Sequence, residues 1–342
     1  MANPVRAIAE QFVSRSPTTL LIFGISLSLL DFAALYAAST KEGVLHVSGG
    51  IGLLNNYGLF STLLGNAVFP YVVKKYYDTV SSMRDSRAIV KTAPVEEAQA
   101  ALAVMIRMRR EHRFWVYLMI VIGAIAWLLN VKFHVIDDPE VKWGHKVFDS
   151  PDHLLTFIAS RFHNFYTWLI IIPLLAHVMI SSSIQLKRGI ETASREGALT
   201  YDLLNPDQRG GFGFVDSANI IFNVIAALAY VQVTLHIGTF ERMNTEHVIA
   251  YVTLTVLLIV INRMFLGDVY ATIKTLRMES LNKVKDNVYN NDKMSFEILK
   301  YCYERRVGTL SVINFAIKAG AIVIPWVLKL WPVGQSIQRS LR

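Results

Sequence analysis

Apolar runs separated by polar stretches recur along the chain, and a hydropathy window of about 19 residues picks out seven of them as membrane spans. They cover about Thr18–Ala38, Ile51–Val73, Phe114–Val131, Phe165–Ile184, Phe214–His236, His247–Asn262 and Thr309–Lys329. The second is the weakest, because Asn55, Asn56 and Asn66 interrupt it. Basic residues precede the first run, as in a signal peptide, but the run is too long for one and reads as a retained span. The pattern predicts an all-α polytopic membrane protein, a single integral domain over residues 1–342.

The polar stretches also carry helical signals. VEEAQAALAVMIRMRREHR has acids in its first turn and bases in its last, which suits the helix dipole. The sixth run continues through GDVYATIKTLRMESLNKVKDNV as far as a YNND break. Residues 74–113, 185–213 and 263–308 are therefore expected to extend membrane helices into a cytosolic helical domain.

Composition sharpens this picture. Hydrophobic residues make up 53% of the 342 and charged residues 18%, below the roughly 25% of soluble domains. The single cysteine, Cys302, excludes an intramolecular disulfide and a cysteine-built metal centre. With the N-terminus in the cytosol, 24 of the 34 lysines and arginines fall on the cytosolic side. That is the positive-inside orientation, with the C-terminus outside and the lipid bilayer as first partner. A bacterial inner membrane is the expected location.

Candidate chemistry begins with the last run. Ser311, Asn314 and Lys318 are spaced i, i+3, i+7 and share one helix face. Such a stripe suits a pore helix contributed once by each subunit of a ring, most simply a tetramer. It also suits a polar seam between neighbouring helices. Asp31 lies midway along the first run, so Asp31 and Lys318 are both intramembrane charges. They could pair across the bundle, or Asp31 could join a ring of carboxylates. A lysine in a seventh helix invites comparison with retinal-binding proteins, but the third run has no carboxylate counter-ion and the sixth no tryptophan.

Seven of the nine histidines, His163 among them, fall on the predicted outer side and read as solvated loop residues without metal-site spacing. On the cytosolic side, Arg107, Arg109, Arg110, Arg113, Lys274, Arg277, Arg305 and Arg306 lie near aromatic residues, as do Lys74 and Lys75 beside Tyr76 and Tyr77. Basic and aromatic residues interleaved fit a nucleotide or single-stranded oligonucleotide. They fit anionic inner-leaflet lipid equally well. The glycines of NPDQRGGFGF could offer N–H groups to an anion at a helix start, or form a flexible turn that lets two helices pack closely. No hydrolase, metalloprotease or glycosyltransfer motif stands in a plausible place, so neither an enzyme nor a cofactor is expected.

Two resemblances follow. NPDQRGGFGF looks like an Asn-Pro-Asp…Gly-Gly signature of uncharacterised bacterial multispan membrane proteins, and implies no activity. The overall layout resembles the insect odorant-receptor type of ligand-gated channel, with seven helices, the N-terminus inside and a seventh helix split into cytosolic and membrane pieces. Here those pieces would be Ser295–Arg306 and Thr309–Lys329. The resemblance implies a tetrameric channel. The function expected is a homo-oligomeric pore gated by an anionic cytosolic ligand, of the kind that would serve as an anti-phage membrane effector, with a transporter or non-conducting scaffold as the alternative.

Overall fold

Ser16 and Pro17 start the first long helix. The Ser16 Oγ accepts the Thr19 N–H at 3.1 Å, and Pro17 gives up a donor that would have no partner in a first turn. This helix, α1 (Pro17–Glu42), ends at Gly43 in the left-handed region, φ 72°, whose N–H returns to the last carbonyls. The computed structural model describes residues 11–48, 50–85, 146–238 (except 149, 196, 198, 206 and 208), 245–289 and 293–304, with scattered helical positions between 117 and 128.

Next comes a two-residue strand, β1 (Gly50–Ile51), paired in parallel with β2 (Lys146–Val147) in the register Gly50 to Lys146 and Ile51 to Val147. Asn56 caps α2 (Tyr57–Ser81) by accepting the Leu59 N–H at 2.9 Å. A continuous helical stretch then runs from Leu154 to Arg195: α3 (Leu154–Tyr166), a π-turn over Thr167–Ile171, and α4 (Ile172–Arg195). Pro173 explains the π-turn, because its ring cannot donate to the preceding turn and would crowd it. The chain ends its described part with α5 (Gly213–Gly238), α6 (Thr245–Tyr289) and α7 (Lys293–Glu304).

Among the described residues, three stretches are long and apolar enough to cross a membrane: Pro17–Glu42, Leu154–Arg195 and Gly213–Gln232. They overlap the first, fourth and fifth predicted spans. Helix α2 overlaps the second but is not among the three; it carries Asn66, Lys74, Lys75 and Asp78. The seventh predicted span lies outside the described residues, as does most of the third.

The side-chain arrangement is the reverse of a water-soluble bundle. On α1, Leu30 is 72% exposed, with Ile22, Phe23 and Leu29 beside it, while Gly24, Ser28, Asp31 and Ser39 are buried. On α3, Leu154, Ile158 and Phe162 point out, while Thr156, Ser160, Arg161 and His163 point in. Large apolar groups outside and polar groups inside suit a hydrocarbon surround.

Helix α2 lies at the centre, packed on α1, α4 and α5. Its approach to α1 is close: a Cβ at Gly24 would stand 2.6 Å from the Ala67 carbonyl oxygen. One core joins Val73, Tyr76 and Val80 of α2 to Leu186 and Ile190 of α4, Val215 and Phe222 of α5, and Leu266 and Val269 of α6. A second holds Leu35, Val44, Leu53, Leu59, Leu63 and Phe148, so β2 delivers a phenylalanine beneath the α1–α2 pair.

The end of α1 also caps α3. Glu42 accepts the N–H groups of Leu155 at 2.8 Å and Thr156 at 2.9 Å, and the Thr156 hydroxyl at 2.6 Å. A carboxylate from a distant helix thus stands where an N-cap side chain would. Glu42→Ala should destabilise the protein by about 1–2 kcal/mol. The check is amide exchange at Leu155 and Thr156, which should accelerate before the rest of α3; equal protection in the variant would contradict the cap.

Candidate functional site

Asp31 is the most costly side chain to bury among the apolar helices, and the structure gives it two partners from α3. His163 Nδ1 and the Tyr166 hydroxyl both meet its Oδ2. Positions 163 and 166 are three apart, which brings both side chains to the α3 face that packs on α1. His163 is 2% exposed and Asp31 9%. Oδ2 belongs to a carboxylate that also accepts the tyrosine proton, so Nδ1 carries a hydrogen and donates.

The surrounding polar groups come from α2 and the π-turn. Asn66 donates to the Thr167 hydroxyl at 2.9 Å, and both are buried. One turn earlier on α1, Ser28 donates to the Leu63 carbonyl at 2.8 Å. Arg161 faces the Phe157 ring at 5.2 Å and the Ser160 hydroxyl at 3.3 Å. Three helices and a π-turn therefore converge on one buried carboxylate.

His163 was expected in a solvated outer loop, and that reading is corrected. Polar residues at 160, 161, 163 and 164 depress a hydropathy average, which places the start of the apolar run at Phe165. Their polarity instead reflects the inward face of a helix that begins at Leu154. Asp31 meets His163 and Tyr166; Lys318, considered as its partner, lies outside the described residues with Ser311 and Asn314.

A second polar group joins α5 to α6. Arg209 Nε is 2.6 Å from the Asp216 carboxylate, which also accepts the Tyr270 hydroxyl at 2.8 Å. Asn219 donates to Tyr270 at 3.2 Å and accepts from Asn223 at 3.3 Å. Burial, and then the Asp216 carboxylate, push the Tyr270 hydroxyl above the ordinary tyrosine range, so it stays a donor. Lys187 of α4 reaches Asp268 of α6, which ties the neighbouring pair of helices.

The NPDQRGGFGF loop supplies its own anion. Asp207 accepts the N–H groups of Arg209 at 2.8 Å, Gly211 at 3.1 Å and Gly213 at 2.9 Å. Gly210, at φ 66°, lies against the Tyr201 ring, and a Cβ there would come within 2.6 Å of it. The stretch is a turn braced by its own carboxylate, neither flexible nor open to an anion at the N–H groups of Arg209, Gly211 and Gly213, which Asp207 already holds.

Of the predicted ligand-binding residues, Lys274 is exposed and Arg277 half-buried on α6. Arg107, Arg109, Arg110, Arg113, Arg305 and Arg306 lie outside the described residues. Lys74 is buried, pairs with Asp78 and stands 5.3 Å over the Tyr77 ring, while Tyr76 is core and bonds Ser183 at 2.8 Å. Tyr76 belongs to the packing between helices and Lys74 to an ion pair within α2. Among the described residues no group of histidine, cysteine and carboxylate side chains could hold a metal ion. No family model, curated protein or solved structure matches the chain.

Proposed function

We propose that the protein is an ion-conducting membrane protein of the bacterial inner membrane, with seven spans and its N-terminus in the cytosol. The observation that carries this is the buried Asp31–His163–Tyr166 cluster on helices whose outward faces are apolar. An ionisable group is costly in such a place, and the places where it is kept include ion and proton paths. The seventh span lines a pore in a ring of four subunits, with Ser311, Asn314 and Lys318 towards the axis. The ring opens when a nucleotide or oligonucleotide in the cytosol binds the basic residues around Lys274, Arg277, Arg305 and Arg306. A membrane effector of anti-phage defence is a setting that such a ligand-opened pore would suit.

Cysteine substitutions at Asn314 and Lys318 should react with water-soluble thiol reagents faster than one at Val323, and reconstituted liposomes should leak ions once the ligand is added. Equal labelling at all three positions would remove span seven from the pore. A transporter is the second reading, favoured by the fact that the Asp31 cluster is closed within helices of one chain. A monomer in detergent that moves solute without a ring would select it.

A further inference from the structure

The Asp31 cluster has a definite charge bookkeeping. With the His163 ring neutral, a carboxylate with two neutral donors carries one net negative charge among buried side chains. Adding a proton to the second ring nitrogen converts it to an imidazolium–carboxylate pair with no net charge. Removing that buried net charge is a large change in a low-dielectric place. Helix α1 carries Asp31 and, towards its end, Tyr36, Lys41 and Glu42; α3 carries Arg161, His163 and Tyr166. Helix α2 brings the neutral Asn66 to the π-turn, with Tyr57 at its start and Tyr71, Lys74, Lys75, Tyr76, Tyr77 and Asp78 further along, while α4 carries the buried His177.

The cluster also sits at a joint. Tyr166 is the last residue before the π-turn, and Thr167, its first, is held by Asn66 of α2. A widened turn followed by Pro173 is where the long Leu154–Arg195 helix can bend, and such turns recur at functional sites. Asp31 holds α3 from midway along α1, and Glu42 holds its start from the end of α1.

We infer that Asp31 and His163 form a proton-binding site whose occupancy sets how α1 holds α3 above the π-turn. The ligand is a proton taken from water; the carboxylate keeps its two donors, and the ring gains the positive charge. In the unprotonated state Asp31 is held by neutral donors alone. In the protonated state the attraction across the α1–α3 contact becomes that of an ion pair, and α3 is drawn to α1. The inference uses the proposed function only in treating these helices as membrane-embedded, and it assigns the transported or sensed species.

The test is nitrogen magnetic resonance of the full chain, labelled at histidine, in vesicles of phosphatidylethanolamine and phosphatidylglycerol. The His163 signal is identified by its loss in His163→Gln or, if that variant does not accumulate, by through-space coupling to labelled tyrosine. The second ring nitrogen should carry a hydrogen in acidic vesicles and lose it in alkaline ones. At one fixed pH, Asp31→Asn, which removes the facing charge, should lower the protonated share, and Tyr166→Phe, which removes a donor to that charge, should raise it. Spin labels on the outward positions Leu30 and Phe162 should change separation together with the ring signal. A ring signal that does not move with pH, or moves identically in Asp31→Asn, overturns the site; a fixed label separation overturns its coupling to α1. Neither readout needs ion flux, so a protein that leaks ions with a silent His163 would keep the pore and lose the proton site.

Discussion

Gly24→Leu should leave little folded protein, and Gly24→Ala should already lower the midpoint of thermal unfolding in detergent. The alanine Cβ would stand 2.6 Å from the Ala67 carbonyl oxygen and 2.9 Å from that of Asn66. Both are backbone atoms of a central helix and cannot rotate away. Relief requires α1 to move off α2 by several tenths of an ångström, which strains the Ser28 bond to Leu63 and the Asp31 cluster together. Overpacking of this kind costs about 1–3 kcal/mol for one methyl and more for a leucine. Gly43→Ala is the matched control. It removes the glycine that follows α1, but nothing lies within 4 Å of its Cβ, so only the left-handed backbone is penalised, by about 1 kcal/mol. If the two alanine variants melt together, the α1–α2 contact is looser than described.

The second large effect is expected at Asp207. Asp207→Ala removes the acceptor of three N–H groups at once, at the turn that leads into α5. The carboxylate is solvent-exposed, which limits the loss to about 2 kcal/mol, the upper end of the range for a helix cap. The local consequence should be larger than the global one. Arg209 would lose the turn that aims it at Asp216, and Gly211 and Gly213 amides should exchange many times faster while α2 amides stay protected. Asp207→Asn keeps an acceptor and should lie between the two. Unchanged exchange at Gly213 in the alanine variant would show that the turn holds itself.

Much of the helical layout can be read from the chain before any coordinates. The first, fourth and fifth apolar runs correspond to the helices long and apolar enough to cross a membrane. The cost of burying Asp31 was legible too, since a carboxylate midway along an apolar run has to find a partner. The identity of the partner was not. It depends on how α1 and α3 face each other, and a window average conceals this by treating the inward face of α3 as a loop. The signal that could have found it is the outward face: Leu154, Leu155, Ile158, Phe162 and Phe165 recur at helical spacing through the polar residues between them. The Asp207 turn was half legible. Glycines mark a place where N–H groups converge, but the acceptor came from within the same ten residues, and short-range folding of that kind leaves no periodic trace.

The π-turn before Pro173 also bears on how the chain can tolerate changes in length. A single extra residue per turn advances the angular phase of everything that follows by about 100°. Helix α3 can therefore present His163 and Tyr166 to α1 while α4, on the same axis, presents Ser183 to Tyr76 of α2 and Lys187 to Asp268 of α6. Deleting one residue from Thr167–Ile171 would restore regular winding and turn one set of partners away from its neighbours. The five-residue wide turn thus acts as a phase correction, and among homologous chains a lost residue here should be accompanied by rearranged partners on one side of it.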